Sequence, residues 1–204
     1  MTKRGAISRR SLIAAGGALA AWPALGQAVL PRARLTTALG DIDLELAVDR
    51  APLTANNFLA YVDQKRLDGS TFYRAMKLVA DPLDGLVQGG LQGNPAKVLP
   101  AIAHEPTTKT GLSHKDGTIS LARFAPGTAT CDFFISVGDV TSLDADPSQS
   151  GDNQGFAAFG HVIAGMDVVK KILTSPVSQT KGAEASMKGQ MLDPEITIQA
   201  ARRI

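Results

Sequence analysis

Thr71-Phe72-Tyr73-Arg74, followed after a spacer by Gly85-Leu86-Val87-Gln88-Gly89-Gly90, reads as two short strands. Phe72 and Tyr73 favour a pleated, half-buried surface, and Arg74 adds a permanently charged fork of donors. Gly89-Gly90 ends the second strand with backbone freedom. Side chains alternate across a strand, so Leu86 and Gln88 share a face. An Arg and a Gln brought together this way make a hydrogen-bonding site at neutral pH. Neither can serve as a general base, because Arg stays protonated and Gln does not titrate. The chemistry served is polarisation or recognition.

Further segments extend the pattern in both directions. Cys131-Asp132-Phe133-Phe134-Ile135 puts Asp132 and Phe134 on one face, with Phe133 and Ile135 on the other. Leu35, Thr37 and Leu39 alternate, Gly40-Asp41 turns, and Ile42, Leu44 and Leu46 alternate again, a hairpin signal. Pro52 opens a helical run with Phe58, Leu59 and Val62 on one face, Thr54 or Asp49 serving its start and Gly69 ending the unit. Val168, Val169, Ile172 and Leu173 mark a second helix. Strands are expected over 118–123, 132–137, 156–162 and 196–200, with a spacer at 75–84 and surface loop from Gly93 through Thr110. Short strands and two separated helices argue for a mainly β architecture, and periodicity alone leaves sandwich and barrel open.

The first 28 residues read as a separate element, an export signal. Lys3, Arg4, Arg9 and Arg10 precede an apolar stretch from Leu12 to about Leu25, and Gly26-Gln27-Ala28 offers a cleavage site. The adjacent arginines of Ser8-Arg9-Arg10-Ser11 favour the bacterial twin-arginine route, hence a periplasmic location. The run is short and rich in Ala and Gly for a spanning helix, which needs about 20 mostly apolar residues. Residues 29–204 then form one domain with 17 basic and 19 acidic residues, a net charge of −2. That domain carries no basic excess for nucleic acid. Cys131 is the only cysteine, so no internal disulfide forms, and it reads as an inert buried thiol. His104, His114 and His161 do not fall at a metal spacing, and no G-x-S-x-G elbow marks a hydrolase. Asp144, Asp146 and Ser148 begin like a calcium loop, but Gln149 and Gly155 stand where Gly and a bidentate Glu are required.

Six blocks in order, Ala51-Pro52-Leu53-Thr54-Ala55-Asn56-Asn57-Phe58, Phe72-Tyr73-Arg74, Val87-Gln88-Gly89-Gly90, Gly117-Thr118-Ile119-Ser120-Leu121-Ala122, Asp132-Phe133-Phe134-Ile135 and Gly155-Phe156-Ala157-Ala158-Phe159-Gly160, resemble the cyclophilin-type peptidyl-prolyl isomerases over roughly residues 33–204. The resemblance implies a closed eight-stranded antiparallel β-barrel capped by two α-helices. It implies isomerisation of Xaa-Pro bonds without cofactor or metal, in aid of protein folding. Arg74 matches the family's catalytic arginine and Gln88 the glutamine that orients it. Phe134 matches the floor of the proline pocket, with Leu86 and Phe156 beside it and Ala122, Phe124 and Asp132 along the peptide groove. Expected partners are proline-containing polypeptides, with no nucleic acid and no membrane after signal removal, the chain acting as a monomer. The alternative is a catalytically weak proline-peptide-binding chaperone on the same scaffold. Three departures stand out. Gly85 replaces an aromatic wall residue, which Leu83 from the longer spacer could substitute. Asp132 stands where Gln is common, and pairing with Arg74 would reduce the arginine's field. The Trp associated with cyclosporin binding has no counterpart outside the leader.

Overall fold

In a computed structural model, residues 29–182 and 187–204, together with residue 2, are described. The export signal, its cleavage site and Trp22 lie outside the described residues. The order is β1 (Arg32–Thr37), β2 (Gly40–Leu46), α1 (Pro52–Asp63), β3 (Ser70–Lys77), β4 (Gly85–Gly90), α2 (Thr107–Thr110), β5 (Thr118–Leu121), β6 (Phe133–Val137), β7 (Ala157–Ala164), α3 (Met166–Leu173), β8 (Val177–Ser178) and β9 (Met191–Arg203). Eight strands run β1-β2-β7-β5-β6-β4-β3-β9, and β1 pairs with β9 to close the ring. Every pairing is antiparallel, and the two-residue β8 hangs on β9. Closure leaves none of the eight ring strands with an open edge.

Alternation sends Leu35, Ile42, Leu44, Val87, Ile119, Phe133 and Ile135 into the barrel interior, all buried. Phe58 from α1 packs into this core, edge-on to Phe133 at 5.5 Å and tilted against Phe159 at 5.3 Å. Burying such a ring contributes about 1.5–3 kcal/mol. Helix α1 packs on β7 and β9, and α3 packs on β2, β3, β4 and β6 through Val168, Val169, Ile172 and Leu173. Strand β1 starts at Arg32, ahead of the alternation visible from Leu35. Arg32 and Arg34 point outward there and hold Glu45 and Asp43 across the hairpin.

Helix α1 begins differently from its expected cap. Its N-cap is Ala51, with no side-chain hydrogen bond. Instead the buried Glu105 carboxylate, 51 residues further on, accepts from both the N–H and the hydroxyl of Thr54 at 2.8 Å. A carboxylate supplied by a distant loop thus serves the positive end of the helix. The loop through residue 117 contains one short helix, α2, that periodicity did not reveal.

Candidate active site

One row of outward side chains crosses four neighbouring strands. Arg74 on β3 lies opposite Gln88 on β4, Gln88 opposite Phe134 on β6, and Phe134 opposite Ser120 on β5. Directly opposed residues on paired strands share a face. Simple alternation would have put Arg74 on the face of Phe72, inside the barrel. It does not, because the register slips between Phe72 and Arg74: Phe72 opposes Gly89 and Arg74 opposes the very next residue, Gln88. Tyr73 is the extra residue of a β-bulge, and a bulge re-aims the side chains that follow it. Phe72 and Ala75 stay in the core, while Tyr73 and Arg74 between them leave it.

The guanidinium is held from two sides. Nη1 donates to Gln88 Oε1 at 3.0 Å, and Nε and Nη2 donate to Gln190 Oε1 at 2.8 and 2.6 Å. Arg74 Nη2 also lies 3.6 Å from Met76 Sδ. Gln88 in turn donates through Nε2 to the Tyr73 hydroxyl oxygen at 2.7 Å. Burial, with the nearby Asp132 carboxylate second, raises the Tyr73 phenol above its ordinary range, so the hydroxyl stays protonated.

Beside this donor array stands an aromatic group. Phe134, 3% exposed, meets Phe156 edge-on at 5.4 Å and stacks on His114 at 5.7 Å. The Arg123 guanidinium lies 5.2 Å from the Phe156 centroid and donates to Asp152 and to the Gly155 carbonyl. Leu86, two residues from Gln88, lies on the same face of β4. Ala122 is half-buried, and its N–H donates to the Asp132 carbonyl at 2.7 Å. Phe124 is 88% exposed and lines, with Phe156, Leu143 and Arg123, a cleft of about 570 Å³.

Asp132 departs from the conditional pairing with Arg74: the described residues show no ion pair between them. Asp132 Oδ1 instead accepts from the N–H groups of Leu91 and Gln92 at 2.7 and 3.0 Å, with Cys131 Sγ 3.6 Å away. Burial pushes its carboxyl above the ordinary carboxylate range, opposed by those two amides. The carboxylate lies tightly against Gly90, where an added Cβ would come within 2.2 Å of it and where φ is +139°. The carboxylate holds the chain leaving β4 and does not take up the arginine. Neighbouring Cys131 is buried, and desolvation first, then Asp132, pushes its thiol up to about 12. It stays a thiol, as a structural cysteine does.

Gly85 has a local cause. Its φ is +154°, and a Cβ there would sit 2.0 Å from the Met76 carbonyl oxygen. The hairpin therefore admits no wall side chain at this position. Leu83 is 67% exposed on the connecting turn.

Two residues escaped the sequence reading. Gln190 sits just ahead of β9 and carries no motif, yet its Oε1 accepts from both Nε and Nη2 of Arg74. His114, which falls at no metal spacing, is fully buried and stacked on Phe134.

Fold and row together define a closed β-barrel carrying a donor-and-aromatic groove on its outer wall. The family model described as "Cyclophilin type peptidyl-prolyl cis-trans isomerase/CLD" matches residues 32–201. The chain is 35% identical over 171 residues to a peptidyl-prolyl cis-trans isomerase of Acinetobacter baylyi, covering 83% of this chain and 85% of that one. It is 32% identical to peptidyl-prolyl cis-trans isomerase A of Dickeya dadantii, covering 89% of each. Among solved structures, a Cryptosporidium parvum cyclophilin-type isomerase matches with a TM-score of 0.65 at 21% identity, over 86% of this chain and 98% of that one, a likeness in fold. The chain belongs to the cyclophilin-type peptidyl-prolyl cis-trans isomerases. It is an enzyme of that class.

Proposed function

We propose that this isomerase acts on Xaa-Pro bonds of exported polypeptides, with Arg74 as the residue that lowers the barrier. The observation that carries the reading is the single outward row in which Arg74, Gln88 and Phe134 are consecutive neighbours. Amide resonance keeps the Xaa-Pro bond planar, and unaided rotation takes tens to hundreds of seconds. A guanidinium donor aimed at the prolyl nitrogen draws its lone pair out of conjugation. It then stabilises the twisted form more than either planar form, which is differential binding of the transition state. Each ~1.4 kcal/mol of that preference is about tenfold in rate. Phe134, with Phe156 and Leu86, receives the pyrrolidine ring and holds it beside the donors. Gln88 and Gln190 orient the guanidinium before substrate arrives, so no reorganisation is needed at the moment of rotation.

The substrate class is a proline-containing polypeptide. A second structure of the Cryptosporidium parvum protein, TM-score 0.64 and 22% identity over 84% of this chain and 97% of that one, was solved in the presence of the dipeptide Ala-Pro. The twin-arginine leader at residues 1–28 assigns the folding work to the periplasm. Fractionation of cells carrying Arg9→Lys/Arg10→Lys tests the route, with the protein expected to stay in the cytoplasm.

The catalytic test is cis-to-trans conversion of a proline tetrapeptide. Wild type is expected to accelerate it, and Arg74→Ala to lose about 10²–10³ in kcat/KM, the usual loss when one charge-stabilising donor is removed. Equal rates for both proteins would overturn the role of Arg74. The absent side chain at Gly85 favours one other reading, a proline-peptide-binding chaperone with weak turnover. Peptide binding that survives Arg74→Ala, with no turnover in wild type, would select it.

A further inference from the structure

Behind Phe134 runs a line of buried polar groups that isomerisation does not use. His114 Nδ1 lies 2.5 Å from Asp144 Oδ1, and His114 Nε2 lies 2.9 Å from Ser120 Oγ. An ionised carboxylate only accepts, so Nδ1 carries the ring proton and Nε2 accepts from the serine hydroxyl. Asp144 is fixed in its turn by the His114 N–H at 2.9 Å and by the Ser113 hydroxyl. The His114 carbonyl accepts from the N–H of Val140 at 2.8 Å, which ties the segment to the chain leaving β6. Serine, histidine and aspartate in this order have the spacing of a hydrolytic triad. Ser120 and His114 are both 0% exposed, so no substrate carbonyl reaches the hydroxyl. Nucleophilic use is closed off by burial.

What the line does have is a geometric output. Both ring nitrogens of His114 are tethered, which fixes the position and rotation of the imidazole. Its face lies 17° from parallel to Phe134. Phe134 is thereby held between this fixed plane and the edge-on ring of Phe156. An apolar residue could fill the same volume, but it would leave the plane of Phe134 unset.

We propose that His114, clamped between Asp144 and Ser120, is a positioning residue that fixes the plane of Phe134 for the incoming proline ring. This rests on the reading of Phe134 as the proline floor given above. A floor free to tilt holds planar and twisted substrate equally less well, so its loss raises KM and leaves kcat in place. Damage that merely unfolds part of the population does the reverse, lowering apparent kcat at constant KM.

The experiment measures kcat, KM and peptide affinity by NMR exchange on a proline tetrapeptide, together with melting temperature. The proteins are wild type, His114→Leu, Asp144→Asn and Ser120→Ala. His114→Leu is expected to raise KM and the peptide dissociation constant roughly three- to tenfold, the range of one aromatic pair's contribution. Its kcat should stay within about twofold. Asp144→Asn keeps the ring and its volume while weakening one tether. It should show the same split to a smaller extent, and it supplies the readout should His114→Leu fail to fold. Unchanged KM in a folded His114→Leu or in Asp144→Asn overturns the proposal. Turnover is scored separately from affinity. Wild type that binds peptide without turnover overturns the catalytic reading alone, and wild type that does neither overturns both.

Discussion

The inner and outer rows of the same four strands make the most instructive comparison in this molecule. Inside, Phe72, Gly89, Phe133 and Leu121 oppose one another across β3, β4, β6 and β5. Outside, Arg74, Gln88, Phe134 and Ser120 do the same, one step along. The inner row follows from period two alone. The outer row includes Arg74 because Tyr73 takes no place in the ladder, which leaves Arg74 one pairing step after Phe72 and facing away from the core. The two faces of one barrel wall thus carry different kinds of residue.

The largest expected effect lies on the inner row, where Phe133→Ala should cost about 3–5 kcal/mol of stability, with normal peptide affinity in the fraction that folds. Phe134→Ala, its sequence neighbour, should be read chiefly in lost peptide affinity. If denaturant melts and peptide titrations rank the two variants alike, the division between rows is wrong.

Asp132 sharpens the boundary. Asp132→Ala leaves the Leu91 and Gln92 amides without their acceptor and should cost about 1–3 kcal/mol in a chemical melt. Turnover per folded molecule should hold, because the carboxylate is committed to backbone rather than to Arg74. A large loss of turnover at unchanged stability would return Asp132 to the catalytic machinery.

The smallest effect is a pH step. Burial holds the His114 imidazole below its ordinary range, outweighing the opposing hydrogen bond and charge of Asp144. The unfolded chain takes up the proton first, near pH 6.5, while the folded chain resists it. Stability should therefore fall as pH drops below about 6.5 and stop falling once the folded-state value is passed. The step should vanish in His114→Leu. Asp63 and Asp68, held below the ordinary carboxylate range by Arg203 and Arg202, add a second decline at lower pH. Their contribution is present above that range and lost as pH falls through their folded values.

The pattern of apolar residues made the barrel interior and both capping helices legible, down to Val168, Val169, Ile172 and Leu173. The segment order then drew Arg74, Gln88, Phe134 and Phe156 together by family resemblance. What stayed hidden depends on partners remote in the chain. Glu105 reaches Thr54 across 51 residues, and Gln190 reaches Arg74 across 116. Neither residue type marks such a role locally, since Glu and Gln are ordinary in any loop. The bulge was hidden for another reason. Tyr73 suits a strand as well as its neighbours do, so composition gives no sign that one of them is surplus. Arg32 and Arg34 concealed the start of β1 because outward charges do not alternate in hydrophobicity with an inward Ala33.

The seam between β1 and β9 has a consequence for biosynthesis. The opening strand finds its second neighbour only among the final residues, with Ala33 opposite Arg203 and Leu35 opposite Ala201. While the tail is still inside the ribosome, β1 and β3 each lack a flank, and the cylinder cannot shut. Completion is thus postponed until β9 has emerged, and a nascent chain halted before that strand would carry two unsealed borders.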